Sequence, residues 1–243
     1  MTTNDQPNGF TETHHAILFA CLARAIIDAA GQTRGEAVVR RAVRAYGMER
    51  GRRMALRARA NGDALTFLNY LAYGEWSATP GAMKQAIVEK APHATAHVSL
   101  CPWHTVWNDK DLLPYGRLYC LEIDKALVNG FNPDLTLNVN GVRTDGAEVC
   151  EFVYRGADVS GVNGLLLGFK KSVRPGKRAR MPWEYHAGHL FTTFARVAVA
   201  ELGDVGRGAV DAGLAEFARE YGEAAAKTVV DYRGTDFTNL PAR

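Results

Sequence analysis

Cysteine, histidine and carboxylate side chains capable of chemistry are concentrated between residues 101 and 154, a segment that holds three of the four cysteines. Cys101 precedes His104 by three residues where a predicted strand meets a predicted loop, a common place for reactive groups. A histidine beside a cysteine can yield a thiolate nucleophile, because the base lowers the cost of deprotonation. His104 is the candidate proton carrier, since the unperturbed pKa of histidine is about 6.5.

A second candidate nucleophile, Cys120, stands four residues before Asp124 on a predicted helix, so the two side chains share one face. Apolar neighbours on both sides indicate that this helix is partly buried. A buried carboxylate is costly unless it meets a cation, a cluster of donors or a substrate. Cys150 belongs to a predicted strand, EVCEFVY, and is either a small core residue or a third thiol of the same site. We expect these thiols and Asp124 to line a small-molecule pocket.

Two further histidines, His186 and His189, are three residues apart on a helix that begins at Pro182. Zinc ligands can have this spacing, but the motif lacks the glutamate of the HExxH metalloproteases. We therefore predict no metal and no cofactor, and we expect His186 to face the pocket. A metal-dependent hydrolase or isomerase that uses His104, Asp124 and His186 is an alternative.

The elements that must position these residues are mostly amphipathic helices. Helices are predicted from Thr11 or Thr13 to Ala30, over 34–60 with a break at Gly47 or Gly51, over 64–73, 82–91 and 113–129, from Pro182 to Leu202, and over 209–230. Alternating β-forming residues predict strands over 93–101, 135–140 and 147–155, the last two as a hairpin. Residues 102–113 are expected to form a loop, and residues 156–168 a flexible segment.

This order of elements predicts an α+β fold, in which an antiparallel sheet is flanked by N-terminal and C-terminal helices in a single domain. The domain is expected to span residues 11–232. A disordered tail is expected over residues 1–10, and a C-terminal tail over residues 233–243.

The composition provides for a substantial core, since 47% of the 243 residues are hydrophobic. No stretch approaches the roughly 20 uninterrupted apolar residues of a membrane span, and the N-terminus has no secretory pattern. The cysteines form no CxxC pair, which argues against a zinc ribbon, and a disulfide framework is not expected in the cytoplasm. We therefore expect a cytoplasmic protein with a small-molecule substrate and no membrane partner.

Basic residues occur in two clusters, although the net charge is only +3. Residues 34–59 carry nine arginines and two glutamates, and residues 170–180 carry six Lys or Arg and no acid. Neither cluster has the interleaved aromatics of a nucleic-acid surface, so we interpret them as a solvated helix face and a basic loop. We predict no nucleic-acid partner. The oligomeric state is left open by the sequence, and a homo-oligomer is compatible with it.

Several short motifs of the central segment carry a resemblance to a known family. They are the cysteine–tryptophan start at Cys101, the run Cys120-Leu121-Glu122-Ile123-Asp124, the turn Gly130-Phe131-Asn132-Pro133 and the stretch from Gly146 to Phe152, together with Tyr46-Gly47 and Gly51 in a preceding helix. These motifs resemble the L-2-amino-thiazoline-4-carboxylic acid hydrolase family. The resemblance covers most of residues 12–200, and its specific part is 101–154. It implies hydrolytic opening of a cyclic isothiourea or related heterocycle that carries a carboxylate.

The implied reaction gives the candidate residues their roles. A carboxylate placed against the protonated amidine would orient it and hold its charge through two parallel hydrogen bonds. Asp124 is our choice for this role, with Glu122 or Glu151 as substitutes. The sequence leaves open whether one of the three thiols or a water molecule attacks the ring. It also leaves open whether the C–S or the C–N bond breaks.

Substrate binding requires a cation for the carboxylate, and Arg117 and Arg143 are the nearest candidates. Trp103 and His186 complete the predicted substrate-binding set. The resemblance also extends distantly to small-ligand-binding domains of the vinyl-reductase type, which need not be enzymes. A non-catalytic ligand-binding or sensor domain is therefore the alternative to a ring-opening hydrolase.

Overall fold

The computed structural model describes residues 9–173 and 175–241. Within these ranges the chain forms ten α-helices and a four-stranded antiparallel sheet, which confirms the predicted α+β fold. The helices are α1 Glu12–Ala30, α2 Gln32–Ala60, α3 Phe67–Ala72, α4 Pro102–Asp109, α5 Leu113–Cys120, α6 Ile123–Phe131, α7 Gly161–Ser172, α8 Trp183–Leu202, α9 Asp204–Tyr221 and α10 Glu223–Val230. The strands are β1 Lys84–Glu89, β2 Thr95–Leu100, β3 Leu137–Asn140 and β4 Cys150–Tyr154, and short 3₁₀ turns cover Arg143–Asp145 and Gly176–Ala179.

The long helices α1, α2, α8 and α9 enclose the larger hydrophobic core. Helix α1 begins after its N-cap Thr11, whose side chain accepts a hydrogen bond from the Thr13 amide. Ile17, Leu18 and Leu22 of this helix are fully buried. By length and composition, α1 is the one described helix that could cross a membrane, but 61% of that window is buried inside the fold, as is typical of a core helix.

The sheet has the strand order β1-β2-β4-β3, and every neighbouring pair is antiparallel. The predicted hairpin is confirmed, with Leu137 of β3 opposite Tyr154 of β4. Helices α3 and α6 pack on the sheet through Phe67 and Val128. Because β2 and β4 are antiparallel neighbours, the end of β2 lies beside the start of β4. This arrangement brings two of the candidate cysteines to one end of the sheet.

Helices α2 and α6 cross with their backbones in contact, because glycines lie on both helices. A Cβ on Gly51 would lie 2.1 Å from the Leu127 carbonyl oxygen, and a Cβ on Gly130 would lie 2.2 Å from that of Met48. No side chain larger than hydrogen fits at such distances. Helix α2 runs without interruption through Gly47 and Gly51, so the predicted break does not occur. The glycines instead admit α6 against the buried face of α2.

Two predicted elements are wrong. Residues 82–91, expected to be helical, contain β1, and all six residues of this strand are exposed. The segment therefore has no buried helical face, and its β-branched residues pair along β2 at the edge of the sheet. Residues 102–113, expected to form a loop, contain α4. Pro102 begins α4 at the first helical turn, where proline is favoured, and the Trp107 indole anchors the helix by donating to the Ala16 carbonyl oxygen at 2.9 Å.

Several helix limits also differ from the prediction. The helix expected over 113–129 is two helices, α5 and α6, and that expected over 209–230 is broken at Gly222, whose φ is 87°. Most of the segment 156–168 that was expected to be flexible belongs to α7. Phe237, in the predicted C-terminal tail, is buried and stacks on His189 at 4.4 Å between ring centroids. Most of the predicted N-terminal tail lies outside the described residues, so the domain limits stay predictions.

Candidate functional site

The three candidate thiols come together where the sheet meets the helices α4 to α6. Cys101 follows β2 and is the N-cap residue of α4, Cys120 ends α5, and Cys150 begins β4. All three pack in one small apolar cluster with Val98 and Val142. All four cysteines of the chain are free thiols. The sequence separation of about 50 residues between the first and last of these thiols is closed by the pairing of β2 with β4.

Asp124, in the first turn of α6, interacts electrostatically with the three thiols of this cluster. Its negative charge contributes to raising the pKa of each of the three thiols, so it lies within electrostatic reach of all of them. The residue is half-buried, and no described residue hydrogen-bonds or ion-pairs with its carboxylate. Burial raises the carboxyl pKa from 3.8 to about 6, against the positive charge of Arg50, which lowers it. A carboxyl of this pKa exchanges protons readily near neutral pH, which suits general acid–base chemistry.

Three tyrosine hydroxyls lie near the same carboxylate. They belong to Tyr70 of α3, Tyr119 of α5 and Tyr154 of β4, and burial followed by neighbouring charges, including that of Asp124, raises the pKa of each. Among the described residues, none hydrogen-bonds these hydroxyls. Unpaired donors beside an unpaired carboxylate provide what a small polar ligand needs for orientation.

The thiols of this site are protonated at neutral pH. Burial raises the pKa of the Cys101 thiol to about 11, although the backbone amides of Trp103 and His104 favour the thiolate. Burial likewise raises the pKa of Cys120 and of Cys150. A helix N-terminus usually lowers a thiol pKa, but here the loss of hydration outweighs it. A thiolate mechanism would therefore need a base to remove the proton.

Helix α4 carries two of the predicted site residues. His104 is half-buried, and burial followed by the charge of Arg143 lowers its pKa, so the imidazole is neutral near pH 7. Trp103 is buried, and its indole nitrogen donates to Nδ1 of His15 at 3.1 Å. The indole therefore belongs to the aromatic core, where it packs against Trp183 at 5.5 Å between ring centroids. Trp103 supports α4 from behind the site.

Of the two predicted carboxylate-binding arginines, Arg117 is engaged elsewhere and Arg143 is engaged only in part. Arg117 is exposed and ion-paired with Asp145. The Arg143 guanidinium donates to the Ser99 carbonyl oxygen, although its Nε is buried without a hydrogen-bond partner. The backbone amide of Arg143 donates to the Cys150 sulfur at 3.3 Å. Arg143 thus borders the thiol cluster, while Arg117 does not reach it.

A second buried polar cluster lies on the inner face of α2 and contains the predicted residue His186. Its centre is the Glu75 carboxylate, which accepts hydrogen bonds from Arg53 at 3.1 and 2.8 Å and from Arg57 at 3.2 Å. His186 Nε2 hydrogen-bonds with the backbone carbonyl of Glu75 at 3.0 Å. Burial first, and then the charge of Arg50, lowers the pKa of His186 well below its usual value. His186 is therefore a neutral member of this cluster.

The arginines of this cluster correct the sequence interpretation, which placed the arginines of α2 in solvent. Arg50, Arg53 and Arg57 are buried, whereas the other six arginines of residues 34–59 are exposed. Their spacing of three and four residues places them on one helix face, the same face as the buried Tyr46. This shared spacing hinted that the three arginines are buried, but it did not identify the Glu75 carboxylate that permits their burial.

An open cleft of about 470 Å³ reaches the thiol cluster from outside and is lined by residues that include Cys120, Lys125, Val139, Val142 and Asp145. Within the described part of the chain, no group of three or more His, Cys, Asp and Glu residues is placed to hold a metal ion. The histidine, aspartate and histidine of the metal-dependent alternative are thus not assembled as a ligand set. The cleft and the unpaired groups instead suit a small organic ligand.

Comparison with known proteins gives one result. The model of the L-2-amino-thiazoline-4-carboxylic acid hydrolase family matches residues 11–154, more than half of the chain. No curated protein and no solved structure matches. The matched segment contains all three clustered thiols, Asp124, the three tyrosines and Arg50, whereas His186 lies outside it. The chain therefore belongs to the L-2-amino-thiazoline-4-carboxylic acid hydrolase family.

Proposed function

We propose that this protein is a hydrolase that opens a small cyclic amidine or isothiourea carrying a carboxylate, such as 2-aminothiazoline-4-carboxylate. The observation that carries the proposal is the Asp124 carboxylate, which is half-buried, has no hydrogen-bond or ion-pair partner among the described residues and lies beside unpaired tyrosine hydroxyls. A buried charge without a partner is costly, so a cationic ligand group would stabilise it. The planar amidinium of such a ring offers two parallel N–H donors, which match a carboxylate.

Asp124 is also the proton carrier in this proposal. Water attacks the amidine carbon, a proton of the attacking water passes to Asp124, and a tetrahedral carbon forms. When the C–S bond breaks, its electron pair goes to sulfur, which takes a proton and leaves an N-carbamoyl amino acid with a free thiol. When the C–N bond breaks instead, the nitrogen takes the electron pair and proton, and an S-carbamoyl amino acid forms. A carboxyl pKa of about 6 suits both the acceptance and the return of the proton.

The raised thiol pKa values favour direct attack by water over a covalent intermediate. At neutral pH a thiol with a pKa of about 11 is almost wholly protonated, and therefore a weak nucleophile. In this proposal the three thiols form a polarisable wall of the site. The tyrosine hydroxyls would donate to the oxygen that develops on the amidine carbon. A cytoplasmic location and a small-molecule partner belong to the same proposal.

The test is a ring-opening assay of the full chain on thiazoline, hydantoin and lactam carboxylates, with products identified by mass spectrometry. A thiol-specific reagent then distinguishes the two bonds, because only C–S cleavage releases a free thiol. We expect turnover of the thiazoline and its loss in Asp124→Asn. Saturable binding of the ring without turnover in the wild-type protein would reject the enzyme and support the ligand-binding domain.

A further inference from the structure

Arg50 is a buried cation whose hydrogen-bonding capacity is only partly used, by the Tyr46 side chain. Its side chain is 5% exposed, and its Nε is buried without a hydrogen-bond partner. The nearest carboxylate oxygen, Oε2 of Glu75, lies 3.8 Å from this nitrogen, which is too long for a hydrogen bond. The guanidinium carbon lies 5.3 Å from the centre of the Tyr46 ring, so cation–π attraction holds its position.

Glu75 cannot satisfy Arg50, because it already serves two other arginines. Its carboxylate is engaged on one side by Arg53 in a fork of two hydrogen bonds, and Arg57 donates to one of the same oxygens. Three buried arginines thus share one fully buried carboxylate. Burial keeps the nearby His15 and His186 neutral, so they add no charge. The cluster therefore holds an excess of positive charge that the Asp124 carboxylate offsets only in part, and an anion would complement it.

The helix crossing and the charge of Arg50 connect this cluster with the candidate site. The glycine-lined crossing of α2 with α6 brings the helix of Arg50 against the helix of Asp124. Arg50 also interacts electrostatically with Tyr70 and Tyr119, the hydroxyls that lie near Asp124. One cation and one anion, both without a full set of partners, therefore border the same group of hydroxyls.

We propose that Arg50 binds the carboxylate of the substrate while Asp124 binds its amidine, so that the site selects small rings with opposite charges at their two ends. This inference rests on the proposed function and assigns the anion-binding residue, in place of Arg117 and Arg143. The planar guanidinium can bind a carboxylate in a bidentate manner, and burial excludes the competing water. Rings without an anionic group would leave the charge of Arg50 buried and unpaired.

The experiment measures binding by calorimetry, so that it does not depend on turnover. The probes are 2-aminothiazoline-4-carboxylate and 2-aminothiazoline, which differ only in the carboxylate. We expect the wild-type protein to bind the carboxylate probe about 10- to 100-fold more tightly, as charged hydrogen bonds of this kind contribute. Arg50→Gln should abolish this ratio, and Arg50→Lys should keep a part of it. The controls Arg117→Gln and Arg143→Gln should retain it.

Equal binding of both probes by the wild-type protein would overturn the proposal, and this result does not depend on whether any variant folds. A preserved ratio in a folded Arg50→Gln variant, or its loss in Arg143→Gln, would do the same. The proposed function is tested separately. If the wild-type protein prefers the carboxylate probe through Arg50 but opens no ring, the result supports Arg50 as the anion-binding residue and rejects the hydrolase function.

A different observation, at the surface, carries a second inference. Helix α7 has no buried residue, and several of its exposed side chains are apolar. Val162, Leu165, Leu166, Phe169 and Val173 recur at helical spacing and are between 41% and 80% exposed. They form one stripe, which faces solvent, whereas Leu167 on another side of the helix packs against the cores. Apolar stripes of this kind on soluble domains mark interaction surfaces.

The charges around this stripe indicate what it contacts. No acidic residue occurs between residues 159 and 183, and Arg178 and Arg180 just beyond α7 are exposed and form no ion pair with a described residue. We infer that the α7 stripe docks on an anionic lipid surface, with its apolar side chains in the headgroup boundary and the arginines on the lipid charges. Two copies of the chain would instead bring these basic residues together. Such docking requires no spanning segment.

Co-sedimentation of the full chain with phospholipid vesicles tests this inference. We expect binding to vesicles that contain phosphatidylglycerol and at least about 10-fold less to pure phosphatidylcholine, with the difference reduced by added salt. Leu165→Ser with Phe169→Ser should abolish binding, whereas Val205→Ser, an exposed apolar residue of α9, should not. Failure to bind the anionic vesicles would reject the inference. So would a dimer in sedimentation that the Leu165→Ser, Phe169→Ser variant dissociates.

Discussion

Replacing Asp124 by Asn is expected to stabilise the protein near neutral pH while it removes most of the activity. Burial raises the carboxyl pKa from 3.8 to about 6, and this difference corresponds to about 3 kcal/mol at about 1.36 kcal/mol per pKa unit. The side chain is half-buried, so solvent screening reduces the amount to about 1–2 kcal/mol. Because the folded pKa is raised, this stability is present below a pH of about 4 and is lost as the pH rises to about 6. Asn does not ionise, so the Asp124→Asn variant does not lose this stability as the pH rises.

The two effects are measured by thermal unfolding and by turnover. Near neutral pH, Tm should rise by about 2–8 °C, because 1 kcal/mol shifts Tm by about 2–4 °C in a domain of this size. At a pH of about 4 the gain should shrink, since the wild-type carboxyl is then largely protonated. Turnover of 2-aminothiazoline-4-carboxylate should fall by about 100-fold or more, the usual contribution of a general acid–base residue.

Two results would refute this reasoning. A lower Tm of Asp124→Asn near neutral pH would show that the carboxylate has a stabilising partner in the folded protein. Unchanged turnover at an intact Tm would remove Asp124 from the site. Asp231→Asn is the matched control, because Asp231 is an ion-paired carboxylate at the surface and should change neither Tm nor turnover appreciably.

Further predictions concern the pH profile, the thiols and the helix crossing. The value of kcat/KM should fall as the pH drops through about 6, where Asp124 takes up a proton, and Arg50→Gln should raise this midpoint because Arg50 lowers the carboxyl pKa. Iodoacetamide near neutral pH should label Cys101 slowly, since only about one thiol in 10,000 is ionised at a pKa of about 11. Rapid labelling that is prevented by substrate would instead favour a thiolate nucleophile. Gly51→Ala should lower the free energy of unfolding by about 3 kcal/mol or more in denaturant titration. The control Gly208→Ala should not destabilise the protein, because a Cβ at Gly208 would enter open space. Equal effects of the two substitutions would contradict the backbone contact between α2 and α6.

The sequence allowed much of the thiol and carboxylate cluster to be predicted, because the positions of Cys120, Asp124 and Cys150 depend on local periodicity. Four residues along a helix place Cys120 and Asp124 on neighbouring positions, and the turn residues between β3 and β4 predict the hairpin that carries Cys150. The pairing of β2 with β4, which completes the group by bringing in Cys101, is a long-range contact. The sequence did not predict this strand pairing, although it did predict that the thiols and Asp124 line one pocket.

Arg50 could not be assigned from the sequence by the same reasoning. Arginine is seldom buried, and six of the nine arginines between residues 34 and 59 do face solvent. What permits the other three to be buried is the carboxylate of Glu75, which lies in an irregular segment after α3. No periodic pattern links that segment to α2. A similar reason applies to β1, whose exposed residues become a strand only because β2 offers a free edge.

The contact between α2 and α6 has a consequence for how relatives of this chain could change their ligand. Main-chain atoms touch at this crossing, so no core side chain can be enlarged or trimmed to alter the spacing of the two helices. In the proposed binding mode, the distance between the guanidinium on one helix and the carboxylate on the other is therefore fixed, and it sets the size of the ring that fits. We expect proteins that accept a larger or smaller ring to keep the glycines and to lengthen or shorten the charged side chains themselves.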